Sequence, residues 1–163
     1  IEAAQRIDQS SLRMHSLVRD MLKRLRPPNL DSLGFSQSIH ELCRSWQTHC
    51  QIQCHVVMHG IPSALPDTLS TALYRVTQEA LTNVAKHAHA SQVWVSLHAS
   101  AGVLTLLITD NGRGMQPEHL CTQGLGLTGM RERVASLQGH LHLEDAQPGL
   151  RIHAQLPLPE VSP

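Results

Sequence analysis

The sequence predicts an α+β fold: a two-layer α/β sandwich whose mixed sheet is covered by helices on one face, preceded by one bundle or coiled-coil helix. Three observations predict it. Apolar residues alternate in short runs at 52–58 and 93–99, the period of half-buried strands. From Asp67 to about His89 they recur at three and four residues, the period of a long helix. Hairpin-like strand pairs then stand among the helices, which implies a mixed sheet with a helical layer rather than an alternating βα architecture.

Each element follows from local pattern. In residues 1–26, Ile7, Met14, Val18, Met21 and Leu25 fall at heptad spacings, with Ser11 in one apolar slot and Leu12, Leu17 and Leu22 on the flanks. That is the pattern of a coiled-coil or bundle helix. Arg26-Pro27-Pro28 ends it, since a residue before proline avoids the helical region and proline lacks the amide. A lone amphipathic helix buries nothing, so it needs a partner outside the globular part or packs on its own domain. Ser36 can cap a second helix with apolar positions Ile39, Leu42, Cys43 and Trp46. Ile52, Cys54, Val56 and Met58 form a strand closed by Gly60-Ile61-Pro62. The long helix carries Leu69, Leu73, Val76, Ala80 and Val84 on one side. Val93, Val95, Leu97 and Ala99 alternate in the next strand, and Val103 to Thr109, almost continuously apolar, predicts a buried one. A loop from Asp110 to Gly126 leads to a helix with Met130, Val134 and Leu137, stopped at Gly139. Two last strands, around Leu141/Leu143 and Leu150/Ile152/Ala154/Leu156, pair across Gln147-Pro148-Gly149, and the tail 157–163 frays.

Composition removes several functions. Thirteen Lys+Arg balance 13 Asp+Glu, leaving no basic excess to attract nucleic acid or an anionic membrane surface. The aromatic residues are Trp46, Trp94, Tyr74 and Phe35, so the core is aliphatic and a base-stacking platform is excluded. No run approaches the roughly 18 apolar residues of a membrane span, and residues 1–26 lack the charged-then-apolar layout of a signal peptide. Ile1 in place of Met suggests a piece of a longer protein. The four cysteines, Cys43, Cys50, Cys54 and Cys121, contain no C-x-x-C pair and are expected to be buried small hydrophobes in a reducing, cytoplasmic compartment.

Three segments can carry chemistry. Asp110-Asn111-Gly112-Arg113-Gly114-Met115 lies where a buried strand runs into a loop. Asp110 is a fixed acceptor suited to an amine-bearing planar ligand such as adenine, and glycines let backbone come close to a ligand. The same residues are also a plausible hairpin turn. Gly124-Leu125-Gly126-Leu127-Thr128-Gly129-Met130-Arg131 is a glycine-rich stretch entering a helix, where free amides and the positive dipole end bind phosphate. It lacks the Gly-Lys-Ser/Thr of a Walker loop and follows no strand, so by itself it is equally a loop and cap. On the long helix Glu79, Asn83, Lys86 and His87 share about a third of the circumference at roughly 100° per residue, with Arg75 nearby. Oxygen donors from Glu79 and Asn83 can hold one Mg²⁺, and Lys86 and His87 would face phosphate, although a solvated helix face has the same composition.

Tyr74 to Ala88 (YRVTQEALTNVAKHA) resembles the N box of sensor histidine kinases, Asp110 to Met115 their first glycine box, and Gly124 to Val134 their second. The GLGLTGMRERV form is similar to that of the group containing the nitrate and hexose-phosphate sensor kinases. Leu25-Arg26-Pro27-Pro28, with Leu30, Leu33 and Gly34, matches that group's linker between dimerisation helices and ATP-binding domain. The resemblance implies the Bergerat ATP-binding sandwich, with residues 1–28 as the second helix of an incomplete dimerisation bundle and 29–163 as the catalytic domain. It implies Asn83 as the Mg²⁺ ligand and Glu79 as a polariser or water-mediated metal partner, with Lys86 and His87 toward phosphate. Asp110 becomes the adenine acceptor, and Gly112, Gly114, Met115, Gly124, Leu125, Gly126, Leu127 and Thr128 line the nucleotide. ATP and Mg²⁺ are the implied cofactors. The implied partners are the chain's own dimerisation helices in a homodimer and a response regulator, and no nucleic acid. The implied location is the cytoplasmic side of an inner-membrane-anchored sensor, with any membrane contact made through upstream segments.

Three features depart from the group. The group's phosphoacceptor histidine lies on the first dimerisation helix and is followed by an acidic residue; residues 1–28 hold no such motif, and His15, followed by Ser16, is expected on the surface. The last hairpin carries Gly149-Leu150 where the family usually has Gly-Thr, the Thr helping to hold adenine. Only eight residues separate Met115 from Gly124, a short phosphate lid. The rival readings are an anti-sigma-factor-type serine kinase of the same superfamily and a non-catalytic nucleotide-sensing or dimerisation module. Of the 12 histidines, those at His49, His55 and His59, with Cys50 and Cys54, invite a zinc reading, but strand alternation puts Cys54 and His55 on opposite faces. His98, His142 and His153 fall on the polar phase of their strands and are expected to face solvent.

Overall fold

A computed structural model of the chain describes residues 27–114 and 125–159. The predicted first helix, and Met115 to Gly124 of the two glycine-rich segments, lie outside the described residues. The elements run α1 (Pro28–Leu33), α2 (Phe35–Cys50), β1 (Gln53–His59), α3 (Asp67–Asn83), a π-helical turn (Val84–Ala88), β2 (Gln92–Ser100), β3 (Val103–Asp110), α4 (Leu125–Ala135), β4 (His140–Asp145) and β5 (Leu150–Pro157). Among the described residues no helix is long and apolar enough to cross a membrane.

The five strands form one sheet in the order β1-β2-β3-β5-β4. β1 runs parallel to β2, joined through α3, and every other pairing is antiparallel. This is the expected mixed sheet. Alternation decides its two faces. Val93, Val95 and Leu97 on β2, Leu104, Leu106 and Ile108 on β3, and Ile152, Ala154 and Leu156 on β5 are all buried. They pack with Ile39, Leu73, Val76, Ala80, Met130 and Val134 of the helices in one core. Burying each such aliphatic side chain contributes roughly 1.5–3 kcal/mol relative to exposure. The opposite face carries His55 stacked on Trp94, and His59 stacked on His98 with ring centroids 5.3 Å apart. His98 and His142 are exposed as expected, whereas His153 is half-buried with Nδ1 3.5 Å from a Glu144 carboxylate oxygen.

Several local expectations change. The α2 helix begins at Phe35, with Gly34 rather than a Ser36 side chain at its N-cap position, because Phe35 is drawn into the core. Ser38 does the local tethering: its hydroxyl lies 2.6 Å from the Gly34 carbonyl and 2.8 Å from that of Asn29, linking α1 to α2. β3 is not buried on both faces. Thr105, Leu107 and Thr109 are only half-buried because helices cover one side of the sheet. The regular part of the long helix stops at Asn83, and the π turn completes it to Ala88, with His89 in the left-handed region at φ 52°. The tail is ordered further than expected, since Pro157 ends β5 and the Leu158 amide donates to the Gly102 carbonyl at 2.8 Å.

Candidate nucleotide-binding site

The alternation that builds the core also delivers a carboxylate to it. Leu104, Leu106, Ile108 and Asp110 occupy the same phase of β3, so the strand's last inward side chain is charged and only 4% exposed. Its Oδ1 accepts the Gly112 amide at 2.8 Å. Burial pushes the Asp110 pKa up from its ordinary 3.8, opposed by hydrogen bonds from the Gly112 and Leu150 amides.

The backbone around Asp110 is held from two sides. Asn111 Oδ1 accepts the Ser91 and Gln92 amides at 3.0 Å each, while Nδ2 donates to Ser91 Oγ at 3.0 Å. The end of β3 is thereby stapled to the start of β2. On the other side the chain clasps the π turn: the Arg113 amide donates to the Ala88 carbonyl and Arg113 Nε to the His87 carbonyl, both at 2.8 Å. Those carbonyls would otherwise be orphaned at the helix end. Gly112 fits there only without a side chain, because a Cβ would overlap the Ala88 carbonyl. Asn111→Ala is expected to cost about 1–3 kcal/mol in chemical unfolding, because two amides and a hydroxyl lose their partner.

Asp110 opens into a cavity of about 290 Å³, at the small end of the range for small-molecule sites. Its walls are mostly apolar: Ala80 and Val84 from the helical layer, Ile108 and Ile152 from the sheet, Leu127 from α4 and Leu150 from the start of β5. Asn83, His87, Asp110 and Arg113 supply the polar groups, and Gly114 and Gly126 supply backbone. An apolar slot with one buried acceptor suits a flat heterocycle bearing an amino group.

The structure thus brings Asn83, His87, Asp110, Gly114, Gly126 and Leu127 to one cavity. It does not bring Lys86 there. Lys86 is exposed and absent from the lining, because the wider π turn changes the angular step after Asn83, keeping His87 on the cavity side. Glu79 is half-buried against α4, where a Cβ on Gly126 would strike its carboxylate. Leu125 is 93% exposed and Thr128 half-buried, both in the first turn of α4, whose amides have no carbonyl partner within the helix. Arg75 donates to Gln78 Oε1 at 2.8 Å and does not line the cavity; burial and neighbouring Arg133 lower its pKa. Sequence reasoning missed Arg113 as a wall residue, although it sits inside the glycine-rich motif. It also assigned Ala80, Val84 and Ile108 to the core alone, when the same stripe continues into the cavity.

Comparison with known proteins agrees with this geometry. Residues 68–160 match the family of histidine kinase-, DNA gyrase B- and HSP90-like ATPases. The signal transduction histidine-protein kinase/phosphatase UhpB of Salmonella typhimurium is 39% identical over 96% of this chain and 31% of its own length. The sensor histidine kinase MctS of Rhizobium johnstonii is 32% identical over 96% of this chain and 35% of its own length. The chain therefore spans about a third of these curated relatives. Among solved structures, the mycobacterial sensor histidine kinase MprB superposes with TM-score 0.59 at 26% identity, over 76% of this chain and 93% of that one. The Acinetobacter baumannii histidine kinase AdeS shares the fold with TM-score 0.67 at 14% identity, over 93% of this chain and 81% of that one. The match begins in α3 and runs past β5, taking in both the Asn83 helix and the Asp110 strand, so the chain belongs to the histidine kinase-, DNA gyrase B- and HSP90-like ATPase family.

Proposed function

We propose that this chain is the ATP-binding catalytic part of a two-component sensor histidine kinase, which passes the γ-phosphoryl of ATP to a histidine on a dimerisation helix and thence to a response-regulator aspartate. The observation that carries the reading is the buried Asp110 carboxylate lining a mostly apolar cavity that Asn83 also lines. Asp110 accepts the exocyclic amino group of adenine between the aliphatic walls. Leu150 serves this by its amide, which bonds Asp110, and by an apolar side chain against the base, in place of a threonine hydroxyl.

Asn83 and Glu79 present oxygen donors one helical turn apart, a set that suits Mg²⁺. When bound, Mg²⁺ neutralises charge on the phosphates. The remaining work is positioning. His87 and the first-turn amides of Leu125, Gly126, Leu127 and Thr128 hold the phosphates, with Gly112 and Gly114 keeping the intervening backbone close. Met115 and Gly124 complete the nucleotide's surroundings. Residues 1–28 form the second dimerisation helix and 29–163 the catalytic domain, in a homodimer on the cytoplasmic side of an inner-membrane sensor.

The test mixes this chain with ATP, Mg²⁺ and a separate acceptor-helix protein, then assays acid-labile phosphate on the acceptor. Its appearance supports the kinase reading. ATP bound with no phosphate transferred favours a nucleotide-sensing module instead. Asn83→Ala is expected to abolish Mg²⁺-dependent ATP binding by calorimetry, and an unchanged affinity removes the metal role from Asn83.

A further inference from the structure

A second cavity, of about 320 Å³, lies between α2 and the edge strand β1 and shares no lining residue with the nucleotide site. Cys43 and Cys54 both line it, with His40, Arg44 and Gln47. Cys43 sits on the buried stripe of α2 at 1% exposure, and Cys54 is half-buried on β1, whose one strand neighbour among the described residues is β2. Gln47, one turn beyond Cys43, accepts the Cys54 amide at 2.8 Å and fixes strand and helix in register at this point. The two thiols thus share the lining of one cavity, Cys43 from the helix and Cys54 from the strand. Cys50, at the end of α2, is half-buried and lines neither cavity.

We propose that Cys54 is an oxidation site and Cys43 its resolving partner, the pair being converted to a disulfide by a hydroperoxide that enters this cavity. The two thiols differ in role. Cys54, half-buried on the edge strand, is the thiol a hydroperoxide reaches, and the neighbouring Cys43 thiol lowers its pKa, whereas Cys43, at 1% exposure, is held protonated by Cys54 and by burial. Cys54 is therefore the nucleophile. Its sulfur attacks the peroxide, the O–O bond breaks, and the alkoxide or hydroxide leaving group takes up the proton that Cys54 has released. Cys54 is left as a sulfenic acid. Cys43 sulfur then attacks Cys54 sulfur, and the Cys43 proton leaves with the sulfenic hydroxyl as water. The balance is two thiols and one hydroperoxide giving one disulfide, one alcohol or water, and one water. The product ties α2 covalently to the sheet edge.

The experiment uses the whole chain with Cys50→Ser and Cys121→Ser, treated with hydrogen peroxide and read by intact mass and peptide mapping. The expected result is the loss of two hydrogens, a Cys43–Cys54 cross-linked peptide, and reversal by dithiothreitol. Adding Cys54→Ser, a change at a half-buried edge position, is expected to leave Cys43 unoxidised. Adding Cys43→Ala is expected to stop the reaction at a Cys54 sulfenic acid, trapped by dimedone. No cross-link in the parent chain, or a sulfenic acid on Cys43 when Cys54 is replaced, overturns the proposal. So does a wild-type chain in which Cys50 reacts before Cys54.

Discussion

Replacing Asp110 with asparagine is expected to collapse the preference for ATP over GTP toward unity, with ATP affinity falling about 10- to 100-fold and GTP affinity changing little. A hydrogen bond to a charged acceptor contributes about 1.5–3 kcal/mol, and each 1.4 kcal/mol is a factor of ten in affinity. The carboxylate offers only acceptors to the adenine amino group, whereas guanine presents a carbonyl at the equivalent position and is repelled. Asparagine keeps the shape and can still accept the Gly112 amide, so the site's architecture survives. Competition binding with both nucleotides checks it; an equal loss for ATP and GTP rules out base selection by this residue.

The same variant carries a pH signature. Burial raises the folded-state pKa of Asp110 above its ordinary 3.8. As pH rises past that ordinary value, the unfolded chain gives up its proton while the folded chain keeps it. The folded state then binds more protons, so stability falls with rising pH until the raised value is passed and stays lower beyond it. Asparagine has no such step. The stability of Asp110→Asn relative to wild type is therefore expected to rise across that window and level off above it, read from urea midpoints at a series of pH values. A flat difference would contradict a raised pKa. Binding and stability thus move in opposite directions, as expected of a buried charge kept for function.

Gly149→Ala is expected to be the most damaging single-methyl change near the site, lowering stability by about 3 kcal/mol and ATP affinity with it. Gly149 has φ 98°, which a side chain resists, and an added Cβ would overlap the Asp110 carbonyl. Two terms combine: backbone strain, and displacement of the strand end that carries Asp110, the proposed adenine acceptor. Gly102→Ala separates them. Gly102 also has a positive φ, 73°, yet nothing lies within 4 Å of its would-be Cβ, so it reports strain alone, about 1 kcal/mol. Equal destabilisation of the two variants in denaturant melts would show that the Asp110 contact adds nothing.

Some of this was legible in the residues. The 3.6-residue stripe from Leu69 to Val84 and the alternation in β2 and β5 specified their elements and their buried faces, because each pattern fits one period. The phase of Asp110 was equally available: counting by twos from Leu104 puts it on the core face of β3. The run of apolar residues at 103–108 hid that phase by suggesting burial on both sides. Which side of β3 the helices covered depended on α3 and α4 packing, far away in sequence.

The sequence by itself determined the α+β class, the strand and helix order and the two glycine-rich segments, since these rest on periodicity and turn chemistry within short windows. Tertiary structure decided the rest. It made Gly149 indispensable by running its backbone against Asp110, gave Asn111 its staple to β2, and turned Lys86 from the cavity by a π turn whose last carbonyls bond Arg113. It also brought Cys43 and Cys54 to the lining of one cavity. Each of these is a contact between chain segments whose meeting depends on how sheet and helices pack, and no local periodicity encodes that distance.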